Sequence, residues 1–274
     1  MRTSLFEFGL SSDLFTAPLQ SSQCRLIYES GFRFVEIMGK YPHYDINRRD
    51  EPLKWRRMLE KSGLSLRSFH PHYSDLYEPE NNLWLRNRKC IEQSIEHLAA
   101  LGGEYLILHA GKLADGGLTI DMRVRRAIRN LEEILRFRQD RRSDIKICIE
   151  HEGDNFPGIR NIIEHFNDER IGFCFDSSHA TLYPGNNDFL DDFKTKIYSI
   201  HLSDNLGSND DHLPPFQGIV NWKAVIQQLV KNEYRGPWHL EVSPGSDSQG
   251  TLKVMKDSMA KLVELLRSTL DESE

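Results

Sequence analysis

Short apolar runs recur along the chain, each followed by a longer stretch in which apolar residues return every three or four positions. The runs are SLFEFGL (4–10), FRFVEIM (32–38), LSLRSFH (64–70), YLILHAG (105–111), IKICIEH (145–151), IGFCFDS (171–177), IYSIHLS (197–203) and WHLEVS (238–243). Their length and their aromatic and β-branched content predict strands. The stretches between them, among them Pro52–Lys61, Leu83–Leu101, Met122–Arg138, Trp222–Lys231 and Leu252–Leu270, predict amphipathic helices; Ile91, Ile95, Leu98 and Leu101 mark one apolar face. Several helix-like segments close on glycine just before the next strand, as in Glu29-Ser30-Gly31, Lys61-Ser62-Gly63 and Leu101-Gly102-Gly103. Glycine accepts the left-handed conformation with which helices commonly end. Strand and helix alternating eight times without a long linker predict a parallel sheet, and closure into a (β/α)8 TIM barrel removes both sheet edges. A doubly wound open sheet is the competing arrangement. It is disfavoured because no Gly-x-Gly-x-x-Gly turn follows the first strand.

Composition changes this picture little. A chain of 274 residues exceeds the usual single domain but matches the roughly 250 residues of one barrel, so residues 1–274 are read as one domain. A net charge of −6 argues against a broadly basic nucleic-acid surface while leaving a local basic patch open. Cys24, Cys90, Cys148 and Cys174 form no C-x-x-C pair, and two lie inside apolar runs, as expected of reduced, buried thiols. The start, MRTSLFEFGLSSDLF, lacks the apolar core of a secretion signal, and no run reaches the roughly 20 apolar residues of a membrane span. A cytoplasmic location is the expectation. The acidic tail Asp271–Glu274 is expected to fray.

The chemistry sits where the apolar runs stop. His70 follows LSLRSF, His109 follows YLIL, Glu150 follows IKICI, Asp176 follows IGFCF, His201 follows IYSI and Glu241 follows WHL. In a (β/α)8 barrel the carboxyl ends of all strands meet at one mouth, so these residues converge. Strands buried on both faces do not carry ionisable groups at their ends without compensation. Two local patterns extend the set: Asp176-Ser-Ser-His179 within one turn, and Asp210-Asp211-His212 in the polar loop after the seventh strand. Mixed carboxylate and imidazole ligands suit Zn, Mn, Co or Mg. His72 competes with His70 for the third strand end and is read as a substrate contact or a support for His70. The remaining polar residues have plainer readings. His97 and His165 fall in helical segments, His43 lies in a loop, and His151 points away from Glu150. His239, in phase with Glu241, lines the barrel below the metal, and Glu36 closes the second strand as a supporting carboxylate.

Together these residues resemble the xylose-isomerase-like barrel superfamily, which contains sugar isomerases and epimerases and the endonuclease IV type of apurinic-site nuclease. The resemblance spans roughly residues 4–265 and rests on Ser68-Phe69-His70-Pro71, Leu106-Ile107-Leu108-His109-Ala110-Gly111, Ile149-Glu150, Phe175-Asp176-Ser177-Ser178-His179, His201-Leu202-Ser203-Asp204, Asp210-Asp211-His212-Leu213-Pro214-Pro215 and Leu240-Glu241-Val242. For the isomerase and epimerase branch it implies one divalent metal on Glu150, Asp176, His201 and Glu241, with Glu150 and Glu241 also moving a proton at a carbon beside a carbonyl. In that branch His179 becomes a candidate for orienting substrate hydroxyls, and Tyr73 or Trp222 a wall for a small sugar. For the nuclease branch it implies three zinc ions on nine ligands, adding His70, His109, His179, Asp210 and His212, with DNA as partner. A third alternative is a barrel that binds sugar or metal without turnover.

Departures from the family patterns blur the substrate. Glu150 is followed by His151-Glu152-Gly153 with no early lysine, Phe156 and Gly207 stand where ketohexose epimerases carry Glu and Arg, and the usual Gly-Glu-Gly reads Phe216-Gln217-Gly218. The first-strand segment FEFGLSS lacks the nuclease branch's polar pattern, and no loop rich in Arg and aromatics is present to grip DNA. A metal-dependent isomerase or epimerase is therefore the leading expectation, with assembly between monomer and tetramer left open.

Overall fold

The computed structural model describes residues 6–78, 80–111, 119–140, 143–152, 156–183, 189–244 and 247–272. Residues 4–5 of the first expected strand and 273–274 of the acidic tail lie outside them. The strands are β1 (Phe8–Ser11), β2 (Phe34–Gly39), β3 (Ser65–Pro71), β4 (Tyr105–His109), β5 (Lys146–Glu150), β6 (Ile171–Asp176), β7 (Ile197–Leu202) and β8 (Trp238–Leu240). All neighbours pair in parallel, and β8 pairs with β1, so the sheet closes into a barrel in sequence order. The helices are α1 (Ser21–Glu29), α2 (Glu51–Ser62), α3 (Asn81–Leu101), α4 (Ile120–Asp140), α5 (Phe156–Phe166), α6 (Ser177–Leu182), α7 (Phe189–Phe193), α8 (Trp222–Lys231) and α9 (Ser248–Asp271). Helices α2 and α3 end on Gly63 and Gly102 with φ of 77° and 76°, the left-handed caps expected from the sequence.

Strand phase separates two apolar clusters. Val35, Ile37, Phe69, Leu106, Leu108, Ile147, Ile149, Phe175, Ile200, Leu202 and Leu240 face outward and join the helices in the main core. The alternate positions turn to the barrel axis, where Ile107, Cys148 and Cys174 form a small separate cluster joined by Tyr198 from the register shift between β6 and β7. Two residues further along the same inner face come His109 after Ile107, Glu150 after Cys148 and Asp176 after Cys174. The inward phase of the strands thus carries apolar packing low in the barrel and ionisable groups at its mouth. All four cysteines are buried and unpaired. Among the described residues, no helix is long and apolar enough to cross a membrane.

Candidate metal centre

The strand ends bring their polar residues together in three adjoining groups. Glu150, Asp176, His201 and Glu241 each place a ligand atom within 4.8 Å of one another, and all four are buried. His70, His109 and Glu150 form a second group, and His179, Asp210 and His212 a third. Glu150 belongs to two of them: its Oε1 lies 2.9 Å from His201 Nδ1, while its Oε2 lies 3.2 Å from His70 Nε2 and 3.1 Å from His109 Nε2. On the other side of His201 Nδ1, Glu241 Oε2 stands 2.7 Å away. Asp210 Oδ2 is 2.9 Å from both His179 Nε2 and His212 Nε2.

Each histidine turns one nitrogen into its group and anchors the other. Nδ1 of His179 faces the His151 carbonyl at 2.6 Å, that of His212 the Glu241 carbonyl at 3.3 Å, and that of His70 the Pro71 carbonyl at 3.4 Å. Nδ1 of His109 faces Glu152 Oε1 at 3.4 Å. With Nδ1 donating outward, Nε2 is the nitrogen turned inward, free to give its proton to a facing carboxylate or, once that proton leaves, a lone pair to a cation. His70 Nε2 and His109 Nε2 face each other at 3.0 Å, a contact that needs a proton or a metal ion between or beside them. His201 runs the other way, with Nδ1 inward and Nε2 3.3 Å from Glu36 Oε2.

The charge balance points in the same direction. Asp176 caps α6, accepting from the His179 N–H at 2.8 Å through Oδ1, but its Oδ2 is buried with no hydrogen-bond partner. Burial, opposed by the charge of His179, pushes the Asp176 carboxyl up to about 6. Burial also works against the Glu150 and Glu241 carboxylates, yet the His201 imidazolium holds both well below the usual range. The centre therefore holds carboxylates that demand positive charge, and an orphaned carboxylate oxygen among nitrogen and oxygen donors fits a divalent cation.

The mouth opens above these groups as a cavity of about 340 Å³. Its walls include His70, His109, Glu150, His179, Asp210, His212 and Glu241, together with His72. Asp13, Lys40, Ser74 and Glu152 complete its polar side and were not singled out from the sequence. Asp13 follows β1 and Lys40 follows β2, and the two are joined at 2.7 Å, with His43 Nε2 at 3.2 Å from the other Asp13 oxygen. Tyr73 is not among the cavity-lining residues; its ring packs on His72 and lies under the Arg86 guanidinium. Trp222 is likewise absent from the cavity wall. Its buried indole donates to Asp204 Oδ2 at 2.9 Å and packs on Phe216, so it braces the loop after β7 rather than walling a substrate.

That loop delivers Asp210 and His212 to the third group, which His179 joins from α6. The fully buried Asp204 pairs through its backbone with Leu213 and accepts from the backbone N–H of Asn205 and Val220, both at 3.0 Å. His212 adopts a positive φ of 46°, held by Ser243 N–H on its carbonyl at 2.9 Å. Asp204→Ala would orphan three N–H donors at about 1–3 kcal/mol each. The variant is expected to melt at least about 6 °C lower and to lose cation binding at Asp210 and His212 before that at Glu241, as followed by thermal melts and metal titration. An unchanged melting temperature would refute this role.

The other histidines are placed as follows. His97 Nδ1 bonds Tyr44 Oη at 2.9 Å, and His165 packs edge-on against Phe166. His151 stacks among Phe156, Phe173 and Phe175 while its Nε2 accepts from the Asp176 N–H at 3.0 Å. His239 lies fully buried beneath His201, stacked on Phe34.

A family model described as a xylose isomerase-like TIM barrel matches residues 24–265. The chain belongs to this family. As a xylose isomerase-like barrel it is 24% identical over 265 residues to the uncharacterized protein MJ1311 of Methanocaldococcus jannaschii, covering 92% of this chain and 88% of that one. It is also 24% identical over 160 residues to the uncharacterized protein y4fM of Sinorhizobium fredii, where the match covers 56% of this chain and only about half, 51%, of the relative's length. Among solved structures, a D-tagatose 3-epimerase-like protein superposes with a TM-score of 0.79 at 21% identity, covering 94% of this chain and 99% of that one. The IOLI protein with a bound zinc atom superposes with a TM-score of 0.81 at 14% identity, covering 94% and 98%. At these identities the xylose isomerase-like barrel shares their fold.

Proposed function

We propose that this xylose isomerase-like barrel is a metal-dependent isomerase or epimerase of a small sugar or sugar derivative. The observation that carries this reading is the buried group of Glu150, Asp176, His201 and Glu241 beneath a polar, open cavity. A divalent cation held by these four would supply Lewis-acid polarisation of a substrate carbonyl and its neighbouring hydroxyl. Glu150 and Glu241 both line the cavity, where their carboxylates can take a proton from a substrate carbon and return it. Across the cavity, Lys40 donates one hydrogen bond to Asp13 and keeps further N–H donors for a polyol, to which His72 and Ser74 add donors and acceptors. His179 directs Nε2 to Asp210, so any grip it has on substrate hydroxyls shares that nitrogen with the third group. The D-tagatose 3-epimerase-like protein among the fold neighbours and the zinc atom in the IOLI protein support this reading.

A second reading is a zinc phosphodiesterase of the apurinic-site nuclease type. It is favoured by one observation: all nine expected ligands converge in three adjoining groups, with Glu150 shared. Metal stoichiometry separates the two. After reconstitution and desalting, elemental analysis is expected to give one tightly held divalent ion per chain. Three zinc ions per chain, with cleavage of an abasic-site oligonucleotide, would replace the isomerase reading by the phosphodiesterase.

A further inference from the structure

Below the ionisable mouth the barrel axis is apolar on the side of Ile107, Cys148 and Cys174 but polar on the side of β2, β3 and β8, where converging strands ordinarily pack branched aliphatic side chains. Glu36 on β2 is fully buried there, paired in register with Ser68 on β3. The Ser68 hydroxyl donates to Glu36 Oε2 at 2.5 Å, and the same oxygen lies 3.3 Å from His201 Nε2. The second oxygen, Oε1, has no hydrogen-bond partner and stands 3.6 Å from Nδ1 of the buried His239. A carboxylate in such surroundings is costly unless it does something that a leucine or methionine of similar size could not.

His201 supplies the reason. It is the one histidine of the centre that turns Nδ1 inward, towards Glu150 and Glu241 at 2.9 and 2.7 Å. For Nδ1 to offer a lone pair, the ring proton must sit on Nε2 and needs an acceptor there. His70, His179 and His212 find backbone carbonyls in loops or at strand ends. His201 instead lies within β7, paired to β6 and β8, where the carbonyls are engaged in the ladder. A side-chain acceptor must take their place, and Glu36 Oε2 is the atom in position.

We propose that Glu36 is a positioning residue which, anchored by Ser68, holds His201 as the Nε2–H tautomer and so presents Nδ1 to a divalent cation shared with Glu150, Asp176 and Glu241. The inference rests on the metal-dependent reading above. Outer carboxylates of this kind typically change metal affinity 10- to 100-fold.

The test uses the full chain, stripped of metal and titrated with Co(II), following heat and the visible ligand-field bands. Glu36→Gln is expected to weaken Co(II) binding at least tenfold with the barrel still folded, and Ser68→Ala to weaken it by less. In the zinc-loaded wild type labelled with 15N-histidine, long-range 15N–1H correlations are expected to show His201 protonated on Nε2 with zinc on Nδ1. Zinc on Nε2, or Co(II) affinity in Glu36→Gln within twofold of wild type, overturns the inference and leaves the isomerase reading standing. A wild type that takes up no Co(II) overturns both. Should Glu36→Gln fail to fold, the tautomer measurement and Ser68→Ala decide alone.

Discussion

Replacing Glu150 with glutamine is expected to reduce proton exchange at the substrate carbon by about 10²- to 10⁴-fold, the range for removing a positioned acid or base. The change preserves shape and removes charge, so the loss reports chemistry rather than packing. Glu150 is also the most connected group at the mouth: one carboxylate oxygen meets His201, and the other meets His70 and His109. An amide NH2 on either side cannot act as an anionic ligand, and uptake of Co(II) or Zn(II) is expected to fall with the exchange rate. Deuterium wash-in from D2O, followed by NMR across a panel of ketoses and their acids, measures the first effect, and calorimetry measures the second. His72→Ala is the contrasting change. His72 lines the cavity but lies outside the three ligand groups, so its loss is expected to raise KM with little effect on metal content. Wash-in at the wild-type rate in Glu150→Gln would remove Glu150 from the chemistry.

Much of this architecture was legible in the sequence because a barrel strand is buried on both sides. An ionisable residue at the end of such a run stands out against its neighbours, as Glu150 does after Ile147, Cys148 and Ile149, or Asp176 after Phe173, Cys174 and Phe175. What period-two alternation cannot give is the direction of residues beyond the strand. Trp222 begins α8, and its indole direction is set by Asp204, brought to it by closure of the intervening loop. Tyr73 follows β3 closely enough to suggest a wall, yet packing against Arg86 and His72 takes it out of the cavity lining. Lys40 and Asp13 were missed for the converse reason. Each follows a strand end in a segment that reads as ordinary loop, and their pairing joins residues 27 positions apart. The supporting layer of Glu36, Ser68 and His239 was half visible: phase with Glu241 placed His239 inward and Glu36 read as a supporting carboxylate, but only the register of β2 against β3 sets the Ser68 hydroxyl on Glu36.

Restoring a divalent cation to the metal-stripped protein is expected to raise its melting temperature by about 5–11 °C when the ion is present at 100 times its Kd. Ligation at that excess contributes about 2.7 kcal/mol, and a chain of this size shifts by about 2–4 °C per kcal/mol. The sign of the pH dependence follows from which groups hold protons without metal. Burial pushes the His109 imidazole down, but Glu152 and Glu150 outweigh it and bring it up to about 9. For His212 burial is likewise outweighed, by Asp210 and Glu241, which bring it up to about 10. Groups raised above their unfolded values contribute stability that is complete below the unfolded pKa and is lost as pH rises through the folded one. Asp176, pushed up to about 6 by burial, acts in the same sense at lower pH. The metal-stripped protein is therefore expected to lose stability between pH 7 and 10, as the protons that balance the buried carboxylates leave. A cation replaces those protons, so the loaded protein should melt at a more nearly constant temperature over the same range. Metal uptake at pH 7.5 should also release protons, visible as a dependence of the calorimetric heat on the buffer's ionisation enthalpy. Melting curves that coincide with and without metal across this range would show that the carboxylate and imidazole groups at the mouth balance each other unaided.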